Sequence, residues 1–94
     1  MLDAAKLLEG GALLLDVREE VEWVTVRAPG ATHIPMRQLS LDQIPSSRTI
    51  ACICHLGVRS ASVADALVAA GYDAVNVAGG MDAWEAAGLP VKHG

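Results

Sequence analysis

The chain has 94 residues, 52% of them hydrophobic but only 3% aromatic, and a formal net charge of −4. That length makes one domain, expected over residues 1–94, which buries only roughly 60–65% of its unfolded surface, so its aliphatic core must be efficient. No block of Lys or Arg marks a nucleic-acid footprint, no apolar run approaches the roughly 20 residues of a membrane span, and "MLDAAKLLEGG" lacks a signal peptide's basic start and long apolar stretch, which points to a soluble, cytoplasmic protein with no nucleic-acid or membrane partner.

In chain order, Asp3 is a plausible N-cap for a helix over "AAKLLE", which Gly10-Gly11 stop. "ALLLDV" (12–17) is a continuous apolar run, as expected of a strand buried on both faces. "REEVEWV" (18–24) has an acidic first turn and apolar Val21 and Val24 three apart, which predicts a short helix. Turn signals at Pro29-Gly30 precede a short strand at Thr32–Ile34, ended by Pro35. Residues 36–48 read as a connection with a helical turn, and "TIACIC" (49–54) as a second buried strand. From Ser60, apolar Val63, Ala66, Leu67 and Ala70 recur at helical spacing up to Gly71. "AVNVAGG" (74–80) reads as a third short strand with a glycine turn, and "MDAWEAAG" (81–88) as a last helix. Strands alternating with helices argue for an α/β domain with a mainly parallel central sheet flanked by helices.

Cys52 and Cys54 are too close in the chain for an unstrained disulfide and too few for a structural zinc site, and His33, His55 and His93 show no ligand spacing with them. Reduced thiols, with no metal and no cofactor, are the expectation.

The chemistry concentrates in "CHLGVRS" (54–60). Cys54 ends a buried strand just before a helix, the end of a parallel sheet where ligands bind. N–H groups of the loop and the first helical turn can form an anion nest there, Gly57 lets the loop curl, and Arg59 and the Ser60 hydroxyl add donors. Such a nest favours a thiolate. A helix N-terminus alone supplies about 0.3–1 kcal/mol and each unit of pKa depression requires about 1.4 kcal/mol, so converging N–H donors and Arg59 must contribute the rest. The competing reading, a small buried hydrophobe, suits Cys52 better, because Cys52 has none of that company.

Four segments in order carry a resemblance along essentially the whole chain. "LLLDVREEVEW" (13–23), "PGATHIP" (29–35), "CHLGVRS" (54–60) and "VAGGMDAW" (77–84) resemble the motifs of a single rhodanese domain, the sulfurtransferase fold. The resemblance implies that Cys54 accepts a sulfane sulfur as a persulfide and passes it on. It implies that the loop from His55 through Leu56, Gly57 and Val58 to Ser60 cradles that persulfide and its anionic donor, and that Arg59 orients the loop or holds the donor's charge. The donor would be thiosulfate or a polysulfide or persulfide, the acceptor cyanide, a thiol or a sulfur-carrier protein. Related phosphatases and arsenate reductases use a C-x5-R loop, whereas Cys54 to Arg59 is C-x4-R, similar to the sulfurtransferase version. A rhodanese-like interaction module with little turnover is the alternative; such modules often lack the cysteine. The sequence departs from the family at Val26, Arg27 and Ala28, where Gly-His-Ile is frequent, and at His33, where asparagine is common.

Asp16 and Arg18 end a strand on the functional side and read as a structural hydrogen-bonded pair, with Arg18 and Arg27 as candidates for the site rim. His55 is expected at the rim, since neighbours on a curling loop point apart. His33 reads as structural, His93 as part of a fraying tail and Trp84 as core, while Trp23 fits either core or a partner contact.

Overall fold

The computed structural model describes residues 4–94, and the expected Asp3 cap lies outside them. Helix α1 spans Ala4–Glu9 and leads into strand β1, Leu13–Asp16. Helix α2, Glu20–Thr25, runs directly into β2, Val26–Arg27. Strand β3 is Thr32–His33, and two 3-10 turns, Met36–Gln38 and Leu41–Gln43, occupy the connection to β4, Ile50–Ile53. Helix α3 is Val58–Ala69, followed by β5 (Ala74–Asn76), α4 (Gly80–Ala86) and β6 (Lys92–His93).

Four strands form a parallel sheet in the order β3-β1-β4-β5, so the two most apolar segments lie at its centre. Alternation along each strand then divides the core in two. Leu15, Ile50, Cys52 and Cys54 face one side with Val63, Ala64 and Leu67 of α3. Leu14, Ala51 and Ile53 face the other with Met81 and Trp84 of α4, and Leu7 and Leu8 of α1 pack against them. Helices therefore cover both faces of the sheet. Among the described residues no helix is long and apolar enough to cross a membrane.

Three expectations change. Helix α2 forms without burying an apolar stripe: Val21 and Val24 are exposed and none of its residues is buried. Its start is fixed locally, where the Glu22 carboxylate accepts from the Glu19 N–H (3.0 Å) and the Glu19 carbonyl accepts from the N–H groups of Glu22 and Trp23. Helix α3 begins at Val58, two residues before the apolar spacing shows it, because Gly57 turns the chain into it at φ +97°. His93 is not in a fraying tail: β6 pairs antiparallel with β2, placing Val26 opposite His93 and Arg27 opposite Lys92.

Candidate active site

Cys54 directly follows β4 at the carboxyl edge of the sheet, and its residue is 1% exposed. The left-handed turn at Gly57 brings the start of α3 back over the sulfur. The Gly57 N–H points at Sγ from 3.1 Å, the Ser60 N–H from 3.3 Å and the Ser60 hydroxyl oxygen lies 3.2 Å away. The loop's own carbonyls are taken up by α4, whose Met81 N–H donates to Cys54 O (2.7 Å) and Asp82 N–H to His55 O (3.0 Å). Gly80 permits this approach, since a Cβ there would sit 2.3 Å from Cys54 O. The glycine pair at the start of α4 is thus part of the scaffold that shapes the cysteine loop.

The other side chains take distinct places. Arg59 reaches across to α2 and donates through both terminal nitrogens to the Glu22 carboxylate, at 2.7 and 2.8 Å. A cavity of about 140 Å³ at the sulfur is lined by Cys54, His55, Leu56, Val58 and Arg59. His55, Leu56 and Val58 are exposed around it. Arg18 is buried, bonded to both carboxylate oxygens of Asp16 and to the Val26 carbonyl, yet it lines a neighbouring cavity with Val21, Glu22, Thr25, Val26 and His55. Arg27 lines none of the cavities around Cys54: its guanidinium lies 5.3 Å from the Trp23 ring centre and donates to Trp23 O. Trp23 is half-buried and lies outside both core clusters. Its ring stacks on His33 with centroids 4.6 Å apart, and His33 Nε2 lies 2.8 Å from Arg18 O. Trp84 is buried and donates to Pro90 O.

A family model described as a rhodanese-like domain matches residues 2–87. The chain belongs to the rhodanese-like family. It is 34% identical over 93 residues to the thiosulfate sulfurtransferase GlpE of Actinobacillus pleuropneumoniae, covering 95% of this chain and 86% of that protein. It is 42% identical over 76 residues to the probable adenylyltransferase/sulfurtransferase MoeZ of Mycobacterium tuberculosis, a match covering 76% of this chain but only 19% of that longer protein. The crystal structure of a rhodanese-related protein from Thermoplasma volcanium superposes with a TM-score of 0.86 at 32% identity, covering 95% of this chain and 93% of that one.

Within this rhodanese-like domain the two thiols diverge electrostatically. Burial pushes Cys52 up to about 12. At Cys54 burial is again the largest influence and opposes ionisation, but the Ser60 hydroxyl and the N–H groups of Ser60, Gly57 and Arg59 outweigh it and hold the thiol below its ordinary value. The hydrogen bond from Arg59 brings Glu22 down to about 2 despite partial burial, and the same bond raises Arg59.

Two residues of this site were not foreseen from the sequence. Glu22 is 37 positions from Arg59, and nothing in the sequence joins them. Asn76 carried a faint signal as the lone polar residue of "AVNVA". Its Nδ2 donates to Gly57 O (3.0 Å), which orients Oδ1 toward the Ser60 hydroxyl at 2.5 Å. Ser60 has one hydroxyl proton, so Asn76 Oδ1 and Cys54 Sγ compete for it.

Proposed function

We propose that this domain is a sulfurtransferase that carries sulfane sulfur as a persulfide on Cys54. The supporting observation is the ring of donors around a single buried sulfur, Gly57 N–H, Ser60 N–H and Ser60 hydroxyl, beside a cavity that opens to the surface at exposed side chains. The Cys54 thiolate attacks the sulfane sulfur of the donor. The Cys54–sulfur bond forms as the donor's bond to that sulfur breaks, and the electron pair leaves on sulfite from thiosulfate or on a thiolate from a persulfide or polysulfide. A cyanide or thiolate acceptor then attacks the outer sulfur and Cys54 departs as thiolate, so no oxidant or cofactor is consumed. The N–H groups of the loop from His55 to Ser60 stabilise the negative charge on the outer sulfur. Arg59 holds the loop against α2 through Glu22. The sulfurtransferase names of the relatives support the same reading.

Intact-protein mass after brief incubation with thiosulfate or polysulfide tests this. The expected result is a gain of one sulfur atom on Cys54, lost on adding cyanide or dithiothreitol. Cys54→Ser should abolish transfer with the fold intact, and Arg59→Ala should lower activity far more than Cys52→Ala. A chain that gains no sulfur from either donor is an interaction module, and the proposal fails.

A further inference from the structure

Among the described residues, the arginines around Cys54 are all committed. The cavity at the sulfur, the one beside it with Arg18, and a third of about 210 Å³ lined by Val17, Glu19, Met36, Arg37 and Arg59 meet at the loop through His55 and Arg59. Each arginine that lines them is bonded to a carboxylate: Arg18 to Asp16, Arg37 to Glu19 and Arg59 to Glu22. The remaining Lys and Arg lie elsewhere. Arg27 is against Trp23, Arg48 donates to Gly11 O, Lys6 lines a cavity with Gly11 and Thr49, and Lys92 is on β6. The backbone cradle can balance one negative charge on sulfur, but among the described residues no arginine that lines these cavities is without a carboxylate partner to serve a second. The surface beyond it is instead apolar, with Leu56 59%, Val58 74% and Val21 71% exposed, the first two on the wall of the Cys54 cavity.

We propose that Glu22 is a specificity-determining residue: by engaging Arg59 it withholds the nearest arginine from the donor, so that Cys54 is loaded from an organic persulfide on an uncharged, apolar carrier in preference to the thiosulfate dianion. The proposal rests on the persulfide reading above and names its donor. Sulfur transfer from such a donor is R–S–SH plus the Cys54 thiolate giving Cys54–S–S⁻ and R–SH; the donor's S–S bond breaks as the Cys54–sulfur bond forms, with the proton of the outer sulfur moving to the departing thiolate.

The test measures the rate constant for Cys54 sulfur gain, per concentration of donor, from thiosulfate and from N-acetylcysteamine persulfide, whose carrier has no charge of its own. The wild-type chain should prefer the organic persulfide. Glu22→Gln frees Arg59 and should raise the ratio of thiosulfate to organic persulfide loading about tenfold, a figure that allows for screening at this partly exposed pair. A ratio within twofold of wild type, or a wild-type preference for thiosulfate, overturns the assignment. If the variant does not fold, salt titration of the wild type decides. Thiosulfate loading should be nearly indifferent to added KCl, and a steep loss of rate with salt would reveal a free cation and refute the proposal. Absence of sulfur gain from both donors would instead defeat the persulfide reading itself.

Discussion

Cys52 on β4 and Cys54 just past its end stand two residues apart, face the same side of the sheet and are both nearly inaccessible as residues. What separates them is hydrogen bonding: Cys52 has only burial acting on it, Cys54 has the cradle. Iodoacetamide at neutral pH should therefore label Cys54 and leave Cys52 untouched in the native protein, which peptide mapping would check. Ser60→Ala removes the hydroxyl donor and should slow that labelling about tenfold, the scale of one hydrogen bond to a charged group. Asn76→Asp should slow it as well, because a carboxylate there captures the Ser60 proton and adds like charge beside the thiolate. Labelling as fast as wild type in both variants would show that Ser60 does not stabilise the thiolate. The sequence made Cys54 and its loop readable because contiguous residues supply the donors. It hid Glu22 and Asn76, whose roles depend on α2 and β5 arriving beside that loop.

The loop keeps its shape because two helices grip it from opposite sides. Gly57 hands the chain to α3, and the first turn of α4 binds the carbonyls of Cys54 and His55. Gly80 is the tightest point, with φ +58° and a Cβ position 2.6 Å from both C and O of His55 as well as 2.3 Å from Cys54 O. These are backbone atoms and cannot move aside cheaply. Gly80→Ala should destabilise the fold by about 3 kcal/mol, a drop of more than 10 °C in Tm by calorimetry on the usual scaling, and persulfide formation should fall with it. A melting point within about 3 °C of wild type would mean that α4 is free to shift away from the loop. At this scale the apolar runs and glycine punctuation of the sequence marked the central strands and the body of α3. The β2–β6 ribbon left no trace in the pattern, since two-residue strands carry no periodicity and their pairing joins residues 26–27 to 92–93. Helix α2 was found for an inadequate reason: its apolar spacing is solvent-facing, and a local hydrogen-bonded start makes the turn.

For the molecule as a whole, the site is coupled to stability through the same ionisations that equip it for chemistry. The Glu22 carboxylate is lowered from 4.5 to about 2 by Arg59, so its contribution is complete above pH 4.5 and fades as pH falls toward 2; it is small, because the pair is partly exposed and screened. Cys54 is held below its ordinary value of 9.0, so the unfolded chain binds the extra proton and stability rises with pH from the folded value up to 9.0. Cys52 acts in the opposite sense. It stays protonated to about 12 in the folded state but ionises from 9.0 when unfolded, so above 9.0 its contribution is progressively lost. The two thiols together place a maximum in their joint contribution near pH 9.0. Urea unfolding of wild type, Cys54→Ser and Cys52→Ala from pH 6 to pH 10 resolves the two slopes. The stability difference between wild type and Cys54→Ser should grow with pH until about 9 and then level off, whereas that between wild type and Cys52→Ala should be flat until about 9 and then shrink. A wild-type to Cys54→Ser difference that does not change with pH would mean that the cradle gives the folded state no preference for the thiolate, and the nucleophile would then need another source of activation.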